Sequence, residues 1–158
     1  MKHDPVRAYR ESSVRGASPV GLIVILLEEA LRSLRKAQRA LLENNIERRT
    51  LELTHVIEVL GYLQSTLDFE NGGEVARDLS LFYDVARAKI LEANIRVDNA
   101  LLESLASQVS EQIEAWQKVD RDLITKAADH APASLEPAMA GASRPQARTL
   151  PPRARGRR

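Results

Sequence analysis

The chain has 158 residues, 44% of them hydrophobic and only 4% aromatic, enough for one domain with an aliphatic core. It has no cysteine, which excludes disulfides and thiolate chemistry and fits a reducing cytosol. The net charge of +1 conceals a division: residues 1–128 hold 17 Lys/Arg against 20 Asp/Glu, whereas residues 129–158 hold 6 Arg against Asp129 and Glu136.

The N-terminus, Met1-Lys2-His3-Asp4-Pro5, lacks the apolar stretch of a secretion signal. No apolar run approaches the roughly 18 to 20 residues that span a bilayer, so a soluble cytoplasmic protein without membrane insertion is expected. Residues 4–10 have the ingredients of one or two helical turns, with Asp4 as cap, Pro5 at the first position, and Val6 and Tyr9 on one face. So short a helix is marginal alone. Residues 1–17 therefore read as a cap segment that needs a larger surface, with Val14 the one apolar contact of its polar second half.

Four helical patterns follow. Helix 1 starts at Ser18, a good N-cap before Pro19, and runs to about Asn44-Asn45 with an inward stripe of Ile23, Leu26, Leu27, Ala30, Leu34, Ala37 and Leu41. Helix 2 runs from about Ile46 to Leu67 on Leu53, Val56, Leu60, Leu63 and Leu67, and the paired Gly72-Gly73 permit a reversal through positive φ. Helix 3 starts near Glu74, an acid suited to a helix N-terminus, and uses Val75, Leu79, Phe82, Ala86, Ile90, Ala93 and Val97. After a break near Asn94 to Asn99, helix 4 carries Leu102, Leu105, Val109, Ile113, Trp116, Val119 and Leu123 and ends near Lys126. Short connections between helices of about 20 to 30 residues predict an all-α, antiparallel up-down-up-down four-helix bundle over residues 18–128. Residues 129–158 bring five prolines among Ala, Ser, Gly and Arg, the composition of a disordered basic tail. Arg153, Arg155, Arg157 and Arg158 suit phosphates or another acidic partner, but no aromatic is there to stack on a base, so nucleic acid is not the expected partner.

Catalytic constellations are missing. Glu52-Leu53-Thr54-His55 has Glu-x-x-His spacing, but a di-metal bundle needs two such motifs and two further carboxylates. Asn71-Gly72-Gly73-Glu74 has no lysine and follows a helix, so it is no phosphate loop. No serine has a predictable His/Asp partner. The expectation is a binding protein, with no catalytic residues, metal or cofactor.

The run Leu22-Ile23-Val24-Ile25-Leu26-Leu27 points in every direction around helix 1 and needs cover on more than one side. Removing the inward stripes leaves Leu22, Val24 and Ile25 on helix 1, Leu51, Ile57 and Val59 on helix 2, Leu81 and Tyr83 on helix 3, and Leu101 and Ile124 on helix 4. Some of these widen the core face; the rest suit grooves that seat an amphipathic or extended partner.

Several segments resemble one known family. Val14-Arg15-Gly16-Ala17-Ser18-Pro19-Val20-Gly21-Leu22 with Leu26-Leu27, Ala30, Leu34 and Ala37 is similar to the opening of the flagellin export chaperones, the FliS family. The middle does likewise through Leu60, Leu63, Leu67-Asp68, Glu70-Asn71-Gly72-Gly73-Glu74-Val75-Ala76, Leu79, Phe82-Tyr83-Asp84 and Ala93-Asn94, and Ala115-Trp116 matches a tryptophan late in the last helix. The resemblance covers about Tyr9 to Asp120. One departure is Leu27-Glu28-Glu29, where the family usually carries Tyr-Asp-Gly. What the resemblance implies is an antiparallel four-helix bundle that binds the C-terminal region of flagellin in the cytosol, prevents early polymerisation and helps deliver it to the flagellar export gate. It also implies a short N-terminal segment, marked here by Tyr9, that covers part of the binding surface and is displaced. The candidate groove residues are Tyr9, Val14, Leu22, Val24, Ile25, Ile57, Leu81 and Tyr83. A monomer or weak homodimer is expected, because a second copy can also satisfy an uncovered groove. The alternative function is an adaptor that binds nucleic acid or an acidic partner through the arginine tail.

Overall fold

In the computed structural model, which describes residues 18–130, each helix begins at a side chain able to satisfy its first free amides. Four helices fill these residues: α1 (Pro19–Leu42), α2 (Ile46–Ser65), α3 (Phe69–Arg96) and α4 (Asn99–Asp129). Ser18 Oγ accepts from the Gly21 amide at 2.9 Å, Asn45 Oδ1 from Arg48 at 2.9 Å and Asp98 Oδ1 from Leu101 at 3.0 Å. Asp68 Oδ1 accepts from both Glu70 and Asn71, each at 3.0 Å. The described residues contain no strand, and none of their helices is long and apolar enough to cross a membrane.

α1 packs on α2 and α4, α3 packs on the same two helices, and the diagonal pairs do not approach each other. Which ends meet is visible in the polar contacts. Ser18, at the start of α1, donates to Asp120 near the end of α4 at 2.5 Å. Gln38, near the end of α1, donates at 2.8 Å to Glu103 in the first turns of α4, and Glu103 also takes Arg35 at 2.7 Å. Buried Arg49, in the first turn of α2, donates to the Asn94 side chain at 2.9 Å near the end of α3.

One continuous core lies between the helices. α1 contributes Leu26, Leu27, Ala30, Leu34 and Ala37; α2 contributes Leu53, Val56, Val59, Leu60 and Leu63; α4 contributes Leu102, Leu105, Ala106, Val109 and Ile113. The α3 share is smaller in volume: Tyr83, Ala86, Ile90 and Ala93. Because α1 is flanked on two sides, its buried face is wider than a three-four stripe, and it takes in Leu22 at 4% and Val24 at 9% exposure while Ile23 and Ile25 are half-buried.

The expected stripes shift in two places. On α3, Val75 and Val97 are exposed, and Ala76 and Tyr83 are buried instead. The cause is Gly73, whose φ of 51° and ψ of −126° interrupt α3: a single capped turn, 69–72, precedes the long helix, and the core face is set after the break. On α4, Val119, Leu123 and Ile124 are exposed: α1 begins beside Asp120, and residues 121–130 beyond it are all exposed. Val97 ends α3 in the left-handed region with φ 56°, an uncommon place for a β-branched residue.

Gly73 and Gly61 separate backbone from packing effects. A Cβ at Gly73 would meet nothing within 4 Å, so Gly73→Ala is expected to lose about 1–3 kcal/mol from backbone strain alone. A Cβ at Gly61, within α2, would lie an ordinary 3.6 Å from Arg87, so Gly61→Ala is expected to gain about 0.5–1 kcal/mol. Urea unfolding of both variants checks the opposite signs.

Candidate functional site

Small residues at the start of α3 leave space that the larger side chains around them do not fill. Gly72 packs so close to Ala76 that a Cβ on it would stand 2.8 Å from the Ala76 Cβ. Above them, Val75, Leu79 and Tyr83 of α3 face Leu63 near the end of α2, Leu67 in the connection after it, Ile23 on α1 and Trp116 on α4. The result is an open apolar cavity of about 230 Å³ to which all four helices contribute. A dry cavity of roughly 150 Å³ holds a benzene ring, so this one has room for an apolar side chain or two rather than for a cofactor.

Its polar edge is already satisfied from within. The Thr66 hydroxyl donates to the Leu63 carbonyl at 2.8 Å. Asp68 accepts from the Asn71 side chain at 2.6 Å and from the two amides it caps, and these donors, Asn71 first, hold its carboxyl below the usual range. Behind the cavity wall, Gln64 donates to Ser80 Oγ and to Asp84 at 3.0 Å each, while Arg87 donates to Asp84 at 2.6 Å and also to Gln64. Gln64 and then Arg87 keep the Asp84 carboxyl ionised below its ordinary range, so this cluster ties the end of α2 to α3. With the Thr66 hydroxyl and the Asp68 carboxylate engaged, the cavity offers a ligand mainly shape and apolar surface.

Of the candidate groove residues that fall among the described residues, Tyr83 alone lines this cavity. It is 2% exposed, its ring meets Phe82 edge-on with centroids 5.6 Å apart, and burial pushes its phenol up to about 12. Leu22 and Val24 are buried, Ile25 and Ile57 half-buried, and Leu81 is exposed on the opposite side of α3. Tyr9 and Val14 lie outside the described residues. Periodicity had placed Ile23, Leu63, Leu67, Val75, Leu79 and Trp116 in the core stripes, and so missed them as cavity walls. The available signal was local: Gly72, Gly73 and Ala76 supply almost no volume where four stripes converge. Elsewhere, Glu52 pairs with Arg48 and His55 with Glu29, each at 3.3 Å, and among the described residues no group of three or more His, Cys, Asp or Glu could hold a metal.

The family profile described as flagellar protein FliS matches residues 1–123. The chain is 34% identical over 110 residues to the flagellar secretion chaperone FliS of Salmonella typhimurium, covering 69% of this chain and 82% of that protein. It is 30% identical over 109 residues to flagellar secretion chaperone FliSB of Pseudomonas aeruginosa, covering 69% and 86%. With the flagellar secretion chaperone FliS of Bacillus subtilis it shares 26% over 115 residues, covering 73% and 85%.

The raised Tyr83 phenol gives a pH dependence with a definite sign. The unfolded chain would release this proton near the ordinary value of 10.0, before the folded chain does near 12. The stabilisation is therefore complete below about pH 10 and is lost as pH rises toward about 12, by up to roughly 3 kcal/mol. Urea titrations across this range are expected to show a shallower alkaline decline for Tyr83→Phe than for the parent chain.

Proposed function

This chain belongs to the FliS family of flagellar secretion chaperones, and from that membership we propose that it is a non-enzymatic chaperone for flagellin's C-terminal region. It holds that region in the cytosol, prevents early polymerisation and assists delivery to the flagellar export gate. The observation that carries the reading is the open cavity bounded by Val75, Leu79, Tyr83 and Trp116, with its polar edge engaged from within. A chain segment that is disordered before assembly and amphipathic once helical can seat apolar anchors there without leaving buried polar groups unpaired.

Within this reading the bundle is antiparallel, up-down-up-down, supported by the meeting of α1's start with α4's end and of α2's start with α3's end. The chain divides into a cap at 1–17, the chaperone bundle at 18–128 and the basic tail at 129–158. Half-buried Ile25 and Ile57 and exposed Leu81 have surface to offer a partner, whereas Leu22, Val24 and Tyr83 act by shaping the ground beneath it. Tyr9 and Val14 belong to the cap that flagellin displaces.

Calorimetric titration of the full chain with a peptide of flagellin's C-terminal region is expected to give saturable binding in the micromolar range; absence of heat and of complex refutes the chaperone reading. Val75→Asp, at a position 66% exposed, is expected to fold normally and weaken binding about tenfold or more, because the new carboxylate must be desolvated in an apolar seat. Deleting residues 1–15 is expected to leave affinity equal or higher. A large loss would make that segment a contact rather than a cover.

A further inference from the structure

Asn71 is one of five asparagines in the chain and the one that precedes a glycine; the other four are followed by Asn45, Ile46, Ile95 and Ala100. The pairing matters because an asparagine loses its side-chain amide when the next residue's backbone nitrogen attacks the amide carbon, and a side chain on that next residue hinders the attack. Gly72 offers no such hindrance. Nor can the position be filled, since a Cβ at Gly72 would stand 2.8 Å from the Ala76 Cβ, and Ala76 is itself buried. The close packing that forms the cavity floor therefore leaves Asn71 beside the one kind of neighbour that permits cyclisation.

What restrains the reaction is a single turn. The Gly72 nitrogen, the atom that attacks, donates to the Asp68 carbonyl at 2.8 Å. The Asn71 side-chain nitrogen, the group that leaves, donates to Asp68 Oδ2 at 2.6 Å, and the Asn71 backbone amide donates to Oδ1 at 3.0 Å. Asp68 thus holds both reacting groups in a helical turn, where the ring cannot close. Little else holds the turn. The break at Gly73 cuts it from the rest of α3, residues 68–72 are all exposed, and one turn of helix has no cooperative support of its own. Asp68 and Gly72 also line the cavity, so whatever seats there bears on this turn.

We infer that Asn71 is a deamidation site, and that opening of the turn at residues 69–72 gates its reaction. In the open turn the Gly72 nitrogen bonds to Asn71 Cγ, the bond from Cγ to Nδ2 breaks, and the Gly72 proton leaves with that nitrogen as ammonia. Water then opens the succinimide at either carbonyl, giving aspartate or isoaspartate at 71, so water is the only co-reactant. Aspartate sets a second carboxylate against that of Asp68 where a donor stood. Isoaspartate adds a methylene to the main chain inside the turn. Either product undoes the cap at the head of α3 and disturbs the cavity floor. The modification itself stands on the turn alone. Its effect on flagellin rests on the chaperone reading: an occupied cavity is preserved, and an idle one is lost with time.

Incubation of the full chain for days at mildly alkaline pH, followed by peptide mapping in a mass spectrometer, is expected to show conversion of amide to acid at Asn71 and at none of the other four asparagines, with isoaspartate among the products. The folded chain is expected to react several-fold more slowly than the same chain in urea. Asp68→Ser keeps a capping oxygen but has no second oxygen for the Asn71 side chain, and is expected to react several-fold faster than the parent in buffer. A saturating flagellin C-terminal peptide is expected to slow the parent's reaction several-fold, and Asn71→Asp, one of the two products, to bind that peptide several-fold more weakly. An intact Asn71 in the folded chain after the chain in urea has fully reacted overturns the inference, as do equal rates in buffer and urea or a parent rate in Asp68→Ser. An unchanged rate under bound peptide overturns the link to the cavity. If the parent binds no peptide in its own titration, the chaperone reading fails by itself, because gating by the turn is read from the rates in buffer and urea without any peptide.

Discussion

The apolar face of α1 is the constraint from which the bundle follows. A run of six aliphatic residues at the start of a helix cannot be hidden by one neighbour, and α1 is accordingly enclosed by α2 on one side and α4 on the other. Leu22, Val24, Leu26 and Leu27 are all buried, including two that simple periodicity turns outward. With α1 so enclosed, α3 takes the remaining place, across the bundle and in contact with α2 and α4 alone. Its lighter inward face, built on alanines at 76, 86 and 93, is what that place requires.

This division of labour also locates the site. Where α3 begins, the chain must turn sharply, and Gly73 with positive φ makes the turn while Gly72 and Ala76 let backbone and helix come close. The residues that solve the turning problem are too small to fill the end of the core. The cavity is thus a by-product of the α2–α3 connection, lined by side chains that belong to core stripes for most of their length. Around it, Thr66, Asp68, Gln64 and Asp84 have their hydrogen bonds met by neighbours, which keeps the opening apolar without exposing unpaired polar groups.

The four helices were legible because each has a strong three-four pattern and a boundary marked by local chemistry: Ser18-Pro19, Asn44-Asn45, Gly72-Gly73 and the stretch from Asn94 to Asn99. The first turn of α3 was not, since residues 69–72 have no periodicity to declare and depend on Asp68 accepting from two amides. Nor was the start of the α3 register, because Val75 fits the core spacing to Leu79 and Phe82, yet after the break at Gly73 it is Ala76 that is buried and Val75 that is exposed. Of the candidate residues, Tyr83 stood out as an apolar body with a polar tip, yet its neighbours in the cavity looked like ordinary core leucines. A void is a deficit of volume at a meeting of elements, and no single helix pattern records it.

Trp116 stands at the edge of that void and is the one tryptophan in the chain. An indole's emission follows the polarity around it, so the protein carries an intrinsic optical reporter at the place where its hydration would change. Whatever enters the cavity must displace water from beside the ring, and whatever opens the bundle must admit it. Occupancy and unfolding therefore move the same signal in opposite directions, and both are visible without a label.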